Sequence, residues 1–232
     1  INNDIDMNSI AKRLADIPVM SKEGASVLPT SLKFLDMFGV SKIEQLNILN
    51  RWQTNNPVVS LDTVIGVHPN GDKFTLDLHE KFQGPHGLIA GSTGSGKSEF
   101  IITYILSMAI NYHPYEVQFV LIDYKGGGLA GAFENKETGI KIPHLAGTIT
   151  NLDTHEMNRS LVSIQSELTR RQKIFSEVRE ALGEGTIDIY KYQKLYREGV
   201  VKTPLSHLFI ICDEFAELKQ QQPEFMQQLI ST

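Results

Sequence analysis

The stretch HGLIAGSTGSGKSEFIITYILSMAIN, residues 86–111, decides the fold. A short apolar run, HGLIAG, reads as a buried strand and feeds the eight residues GSTGSGKS at 91–98. An apolar helical pattern then runs from Lys97 to Asn111. Gly91, Gly94 and Gly96 lack a Cβ, so the chain can curl with the amide N–H groups of Ser92, Thr93, Ser95 and their neighbours facing inward, which makes a phosphate cradle. Lys97 can then reach the β- and γ-phosphates of a nucleotide such as ATP. Ser98, in the first helical turn, offers a hydroxyl to Mg²⁺, and the helix N-terminus adds partial positive charge. A glycine-rich structural turn would not require strand, full motif and helix in that order.

Downstream of this unit the pattern alternates strand and helix. VQFVLID (117–123) is a second buried strand, HLAGTIT (144–150) a third, and SHLFIICDE (206–214) a fourth. Between the last two, Met157, Leu161, Ile164, Leu168, Phe175, Val178 and Leu182 recur at steps of three and four, which predicts one long helix. Such alternation implies a mostly parallel sheet with helices on both faces. The fourth strand ends on two carboxylates that point to opposite sides. Asp213 is placed to hold the Mg²⁺ shell and Glu214 to polarise an attacking water.

Upstream, the period differs. Thr30–Phe38 reads as a helix stopped at Gly39, and Ser41 with Glu44 predicts a capping box for a second helix whose apolar face is Ile43, Leu46, Ile48 and Leu49. Residues 63–78 read as a β-hairpin turning at Asn70 and Gly71. The change of period from 3.6 to 2 sets an expected boundary near residue 60, between a helical appendage (1–60) and a catalytic domain (61–232). Trp52 is expected either to pack against the core or to touch a nucleotide base.

Composition narrows the classes. With 41% hydrophobic and 21% charged residues and no apolar run of membrane-spanning length, the chain has the profile of a water-soluble globular piece. Beginning without Met and ending at Thr232 on a helical pattern, it is expected to be part of a longer polypeptide. A net charge of −5 gives no electrostatic footprint for nucleic acid, so no nucleic-acid partner is expected. One cysteine, Cys212, lies in an apolar run and reads as a buried hydrophobe, so no disulfide framework exists. The seven histidines show no pair at metal-ligand spacing, leaving Mg²⁺ brought by the nucleotide as the expected metal.

Several longer strings carry a resemblance. IDYKGGG (122–128), PHLAGTITNLD (143–153), ELTRRQ (167–172) and DEFAEL (213–218) resemble the FtsK/SpoIIIE family of ring-forming motor ATPases. HEKFQGPHGLIAGSTGSGKSE (79–99) and LNRWQ (49–53) are similar to its EssC/EccC branch, the membrane-anchored ATPases of type VII secretion, and most of all to the first ATPase domain there. The likeness runs from about residue 28 to the end and implies a RecA-like P-loop NTPase core. It further implies a cytoplasmic location below a membrane anchor lying outside this chain, further ATPase domains in the same polypeptide, a ring that is hexameric, and export of small helical proteins. A DNA translocase, or a nucleotide-binding domain that regulates assembly without turnover, are the alternative functions. Family members continue past the segment matching Pro223–Thr232 into strands carrying a polar sensor. The isolated segment is therefore expected to have an incomplete sheet, to self-associate through that edge and its apolar 225–230 helix, and to turn over little ATP.

A ring also implies an arginine supplied in trans. Arg159, Ser163, Ser166 and Arg170 share one helical face, whereas Arg171 falls in the apolar seam. Arg159 and Arg170 lie roughly 16 Å apart along the helix, so one γ-phosphate cannot take both, and the family resemblance favours Arg159. Asp123 and Lys125 either touch the nucleotide and its waters or belong to a structural turn built on Gly126, Gly127 and Gly128.

Overall fold

The computed structural model describes residues 31–123, 128–135, 137–150, 154–183 and 185–221, with residues 223 and 227. Thr30, Lys125, Gly126, Gly127 and, apart from Gln227, the expected 225–230 helix lie outside the described residues. The central sheet is three-stranded and parallel, in the order β6 (Leu145–Ile149), β3 (Val117–Asp123), β7 (His207–Asp213). The long helix α4 (Thr154–Leu182) joins β6 to the α5 helix (Ile189–Arg197) that precedes β7. The parallel sheet with helices, inferred from alternating apolar runs, is present.

Residue parity sorts the two faces of the sheet. Val117, Phe119 and Leu121 of β3, with Phe209 and Ile211 of β7, pack on Ile101, Tyr104, Ile105 and Met108 of α3 (Lys97–Asn111). Val120 and Ile122, with Ile210 and Cys212, pack on Leu161 and Ile164 of α4 and Leu218 of α6 (Phe215–Gln221). Side chains alternate along a strand, so each buried strand serves two cores. Cys212 packs against this core as a partly buried hydrophobe, and desolvation pushes its thiol up to about 11.

The helix bearing the glycine loop is held at its far end by the segment before it. A helix leaves its last carbonyls unpaired. Here Trp52 Nε1 donates to Ala109 O at 2.9 Å and Asn55 Nδ2 to Asn111 O at 2.9 Å, while Arg51 reaches Asn111 Oδ1 at 3.0 Å. Trp52 and Arg51 belong to α2 (Ile48–Thr54) and Asn55 is its C-cap. Trp52 is thus a packing anchor. It sits near the C-terminal end of α3, about 18 Å of helix from Lys97. Arg51 also lies over the Phe38 ring, 5.4 Å from its centroid, which ties in the short helix α1 (Phe34–Met37).

Three local expectations need correction. First, residues 86–91 form no strand: Leu88 is 80% exposed and Ile89 46%. A strand exists by its ladder, and among the described residues β7 pairs only with β3, leaving 86–91 without a partner strand. Second, residues 41–54 are two pieces, a 3₁₀ turn at Ile43–Leu46 and then α2, separated by Asn47 at φ 50°. The cap there is Gln45 and not Glu44, since Gln45 Oε1 accepts from the Ser41 and Lys42 amides at 2.9 and 3.1 Å. Ile43 and Leu49 are consequently exposed. Third, α1 spans only Phe34–Met37, although Gly39 does stop it, at φ 70°. The hairpin is as expected, with β1 (Asp62–Val67) against β2 (Lys73–Asp77) and a register shift at Val64/Gly66. The small hairpin β4 (Glu134–Asn135) with β5 (Ile140–Lys141) is an addition to the expected elements.

Helix α5 is anchored by Gln193, whose Nε2 donates to Glu116 O at 2.8 Å and Leu205 O at 3.0 Å, and by Arg197 Nε on Glu116 Oε1 at 2.6 Å. Tyr190 at its start stacks between two buried histidines, 4.2 Å from His79 and 4.8 Å from His207 by ring centroids. Burial first, then His79 and Arg171 nearby, holds the His207 imidazole down at about 3. Burial also lowers His144, whose Nε2 donates to Tyr112 O at 2.8 Å. Both folded-state values lie below the unfolded value of 6.5, so the unfolded chain takes up protons first as pH falls. Stability from this source is complete above about pH 6.5 and is lost on acidification toward pH 3. His207 is predicted to contribute a slope of about 1.4 kcal/mol per pH unit in urea unfolding between pH 6 and 4, and His144 a slope of the same sign. His207→Phe, which keeps a ring against Tyr190, should lose one such share of the slope; an unchanged slope would contradict the assignment.

Candidate active site

The two ends of α3 locate the site. The helix has 15 residues, about 22 Å, and β3 has 7, about 23 Å. A tight turn joins them, with Glu116 N and Val117 N both donating to His113 O at 2.8 and 3.0 Å. α3 therefore runs back along the sheet, and its N-terminus with the 91–98 loop lies at the edge where β3 and β7 end. Asp123 and Asp213 are those ends, paired in register on neighbouring parallel strands. By parity both share the α3 face with Phe119, Leu121, Phe209 and Ile211. The chain returns from β6 through α4 and α5 to the opposite side of β3, so β3 and β7 flank a topological switch point, where open α/β sheets place their ligands.

The loop itself has the form of an anion cradle. Gly94 and Gly96 sit at φ 77° and 92°, a region that side chains with a Cβ rarely adopt, and Gly96 is the N-cap of α3. A Cβ on Gly91 would collide with Ser95 Oγ. Lys97 Nζ donates to Gly91 O at 2.8 Å and Ser92 O at 3.2 Å, so its ammonium is folded over the loop. Ser98 is exposed in the first helical turn. Concave amides, a lysine and a helix N-terminus suit a polyphosphate, and hydroxyl plus carboxylate oxygens suit a hard cation such as Mg²⁺.

Glu214 departs from ordinary backbone geometry. It leaves β7 at φ 58°, and its carbonyl accepts from Glu217 N and Leu218 N at 3.0 and 3.3 Å, starting α6 at once. Its own amide donates to Asp213 Oδ1 at 3.0 Å. A left-handed non-glycine residue costs on the order of 1–3 kcal/mol, and such strain concentrates at functional positions.

Arg159, Arg170 and Arg171 of α4 separate cleanly. Arg170 is clasped by Glu167, with Nε on Oε2 at 2.6 Å and Nη2 on Oε1 at 2.7 Å. Arg171 is buried, donating to Glu167 Oε1 at 2.8 Å and Ser206 O at 2.6 Å. Arg159 is exposed and forms no ion pair with a described residue. Arg170 and Arg171 line a groove of about 470 Å³ between α4 and β6, on the face of the sheet away from the glycine loop. Asp123, the weaker of the candidates above, is buried, and its Oδ2 accepts from Leu129 N at 3.0 Å, which favours the structural-turn reading for that atom.

Glycine cradle, lysine, first-turn serine and strand-end carboxylates on one sheet edge define a P-loop ATPase domain. The chain belongs to the FtsK/SpoIIIE family, whose model matches residues 46–232. It is 48% identical over 230 residues to the type VII secretion system protein EssC of Staphylococcus aureus strain Mu50, covering 99% of this chain and 15% of that protein. It is 46% identical over 206 residues to the ESX secretion system protein YukB of Bacillus subtilis strain 168, covering 88% of this chain and 13% of that protein. Among solved structures, the cytoplasmic domain of the type VII secretion ATPase EccC from Thermomonospora curvata superposes with a TM-score of 0.72 at 30% identity, covering 87% of this chain and 23% of that one. The chain thus spans about 15% of the length of the curated relatives it matches. Among the described residues no helix is long and apolar enough to cross a membrane.

The strain at Glu214 can be measured by comparing two variants that both lack its side chain. Glu214→Gly should be about 1 kcal/mol more stable to urea than Glu214→Ala, because only glycine relieves the positive φ. Equal stability would mean that the backbone there is unstrained.

Proposed function

We propose that this domain, residues 61–232 with the 1–60 appendage, is an ATP-hydrolysing motor unit of a type VII protein secretion machine. The observation that carries it is the convergence of the 91–98 loop and the Asp213–Glu214 pair at one edge of the sheet, in a chain 48% identical to EssC. Lys97 and the amides of Gly91–Ser98 would hold the ATP phosphates, and Ser98 with Asp213 would hold Mg²⁺, which when bound shields the phosphate charge. Glu214 would orient and deprotonate the attacking water. Its strained backbone fixes the carboxyl at the exit of β7 and does not leave it to a flexible loop. An arginine from a neighbouring subunit or domain would complete such a site, and Arg159, exposed on α4, is the candidate for that role. Hydrolysis in a ring, hexameric by resemblance, with further ATPase domains of the same polypeptide, would drive small helical proteins through a membrane in which other segments are anchored. This domain would face the cytoplasm.

The intact protein tests the assignment through two variants. Glu214→Gln is expected to keep ATP binding while hydrolysis falls at least about a hundredfold, the contribution of a positioned general base. Lys97→Ala should lose ATP binding itself by calorimetry. Wild-type turnover in the first variant, or wild-type affinity in the second, would remove that residue from the mechanism.

A further inference from the structure

The groove between α4 and β6 is left open by short side chains. Its volume is about 470 Å³, the size of a binding site. β6 gives it Gly147 and Thr148 and α4 gives it Ser160 and Ser163, none long enough to fill the space, over an apolar floor of Val120 and Leu208. A Cβ on Gly147 would meet nothing within 4 Å. One side of the groove is a strand edge. β6 pairs with β3, and among the described residues no strand takes its other edge. Gly147, Thr148 and Ile149 hold regular register with Val120, Leu121 and Ile122, so their outward N–H and C=O groups have the spacing that a further strand requires. Residues 145–149 carry no charge or proline to blunt that edge.

At one end of the groove, two guanidiniums face a single carboxylate. Arg171 is buried, with Nη1 on Ser206 O at 2.6 Å and Nε on Glu167 Oε1 at 2.8 Å. Ser206 immediately precedes β7, so this end lies at the amino ends of the strands, away from the 91–98 loop. Arg170 shares Glu167 through Nε and Nη2, its side chain is 52% exposed, and among the described residues its Nη1 has no acceptor. The three side chains together leave one positive charge in excess, which a carboxylate from outside would match. We propose that this groove docks an extended, acidic segment of a partner protein, which adds to β6 as a strand and sets a carboxylate on Arg170. An extended chain can bond to the β6 edge, whereas a helix keeps its backbone bonds internal. The site is separate from the nucleotide assignment and stands without it.

The test presents the intact protein to a library of short random peptides and keeps those that distinguish it from Gly147→Leu, whose side chain enters the groove. Ser163→Leu fills the groove from the other wall and decides if a melting curve shows Gly147→Leu unfolded. The recovered peptides are expected to carry Asp or Glu, to slow hydrogen exchange at 145–149, and to bind the filled variant at least about tenfold more weakly. Replacing the acidic residue of the best binder by its amide should cost about tenfold on the wild type, the usual share of a charged hydrogen bond, and nothing on Arg170→Gln, in which Glu167 keeps Arg171. Failure to recover any peptide that tells the two proteins apart would overturn the proposal. So would binders without a carboxylate, or binders that leave exchange at 145–149 unchanged, as a docked helix would. Self-association of the unliganded protein that Gly147→Leu abolishes would put a second copy in the groove and also overturn it.

Discussion

Helix α3 lies across β3 and β7 through Ile101, Tyr104, Ile105 and Met108, and the positions of the 91–98 loop and the strand-end carboxylates follow from that contact. Because α3 and β3 have nearly equal lengths and a tight turn between them, the loop at residues 91–98 returns to the edge where both strands end. Because α3 covers the odd-numbered face, Asp123 and Asp213 come to the loop and Ile122 and Cys212 go to the other core. One packing decision thus supplies the cradle, the helix N-terminus and the carboxylates together. Sliding α3 by one turn would move Lys97 by about 5.4 Å and dissolve the arrangement.

Such a helix has to be held from behind, and α2 does this. The donors from Arg51, Trp52 and Asn55 close the carbonyl end of α3, and Arg197 Nη2 adds a 2.7 Å bond to Asn55 O that ties α5 into the same corner. The appendage is therefore in polar contact with the very helix that carries the P-loop.

The parts of this architecture with strong local signals were legible in the residues. α3 at Lys97–Asn111 and β3 at Val117–Asp123 match their apolar runs, and β7 and the 29-residue α4 were evident from period and length. The Asp213–Glu214 pair at the end of the last apolar run was readable too, but Glu214 lies beyond β7 in the left-handed region, which nothing local forecasts and to which strand alternation does not apply. Residues 86–91 misled because an apolar run becomes a strand only where a ladder partner is present, and that is a property of the assembled sheet. α5 has a signal that could have been used, since Asp188 accepts from Lys191 N at 2.8 Å as an N-cap before the amphipathic run IYKYQKLYR. The Trp52 bond to Ala109 O and the Asp123 register with Asp213 span long stretches of chain, and no periodicity or motif encodes them.

The central claim is that nucleotide binds where the 91–98 loop meets the carboxyl ends of β3 and β7. Hydrogen–deuterium exchange on the intact protein, with and without Mg²⁺ and a non-hydrolysable ATP analogue, addresses it most directly. The account predicts slower exchange in peptides covering 91–98 and the 211–214 strand end, with the α4–β6 groove and the Trp52 region at their unliganded rates. Protection centred on that groove or on Trp52, with the 91–98 peptides unchanged, would contradict it.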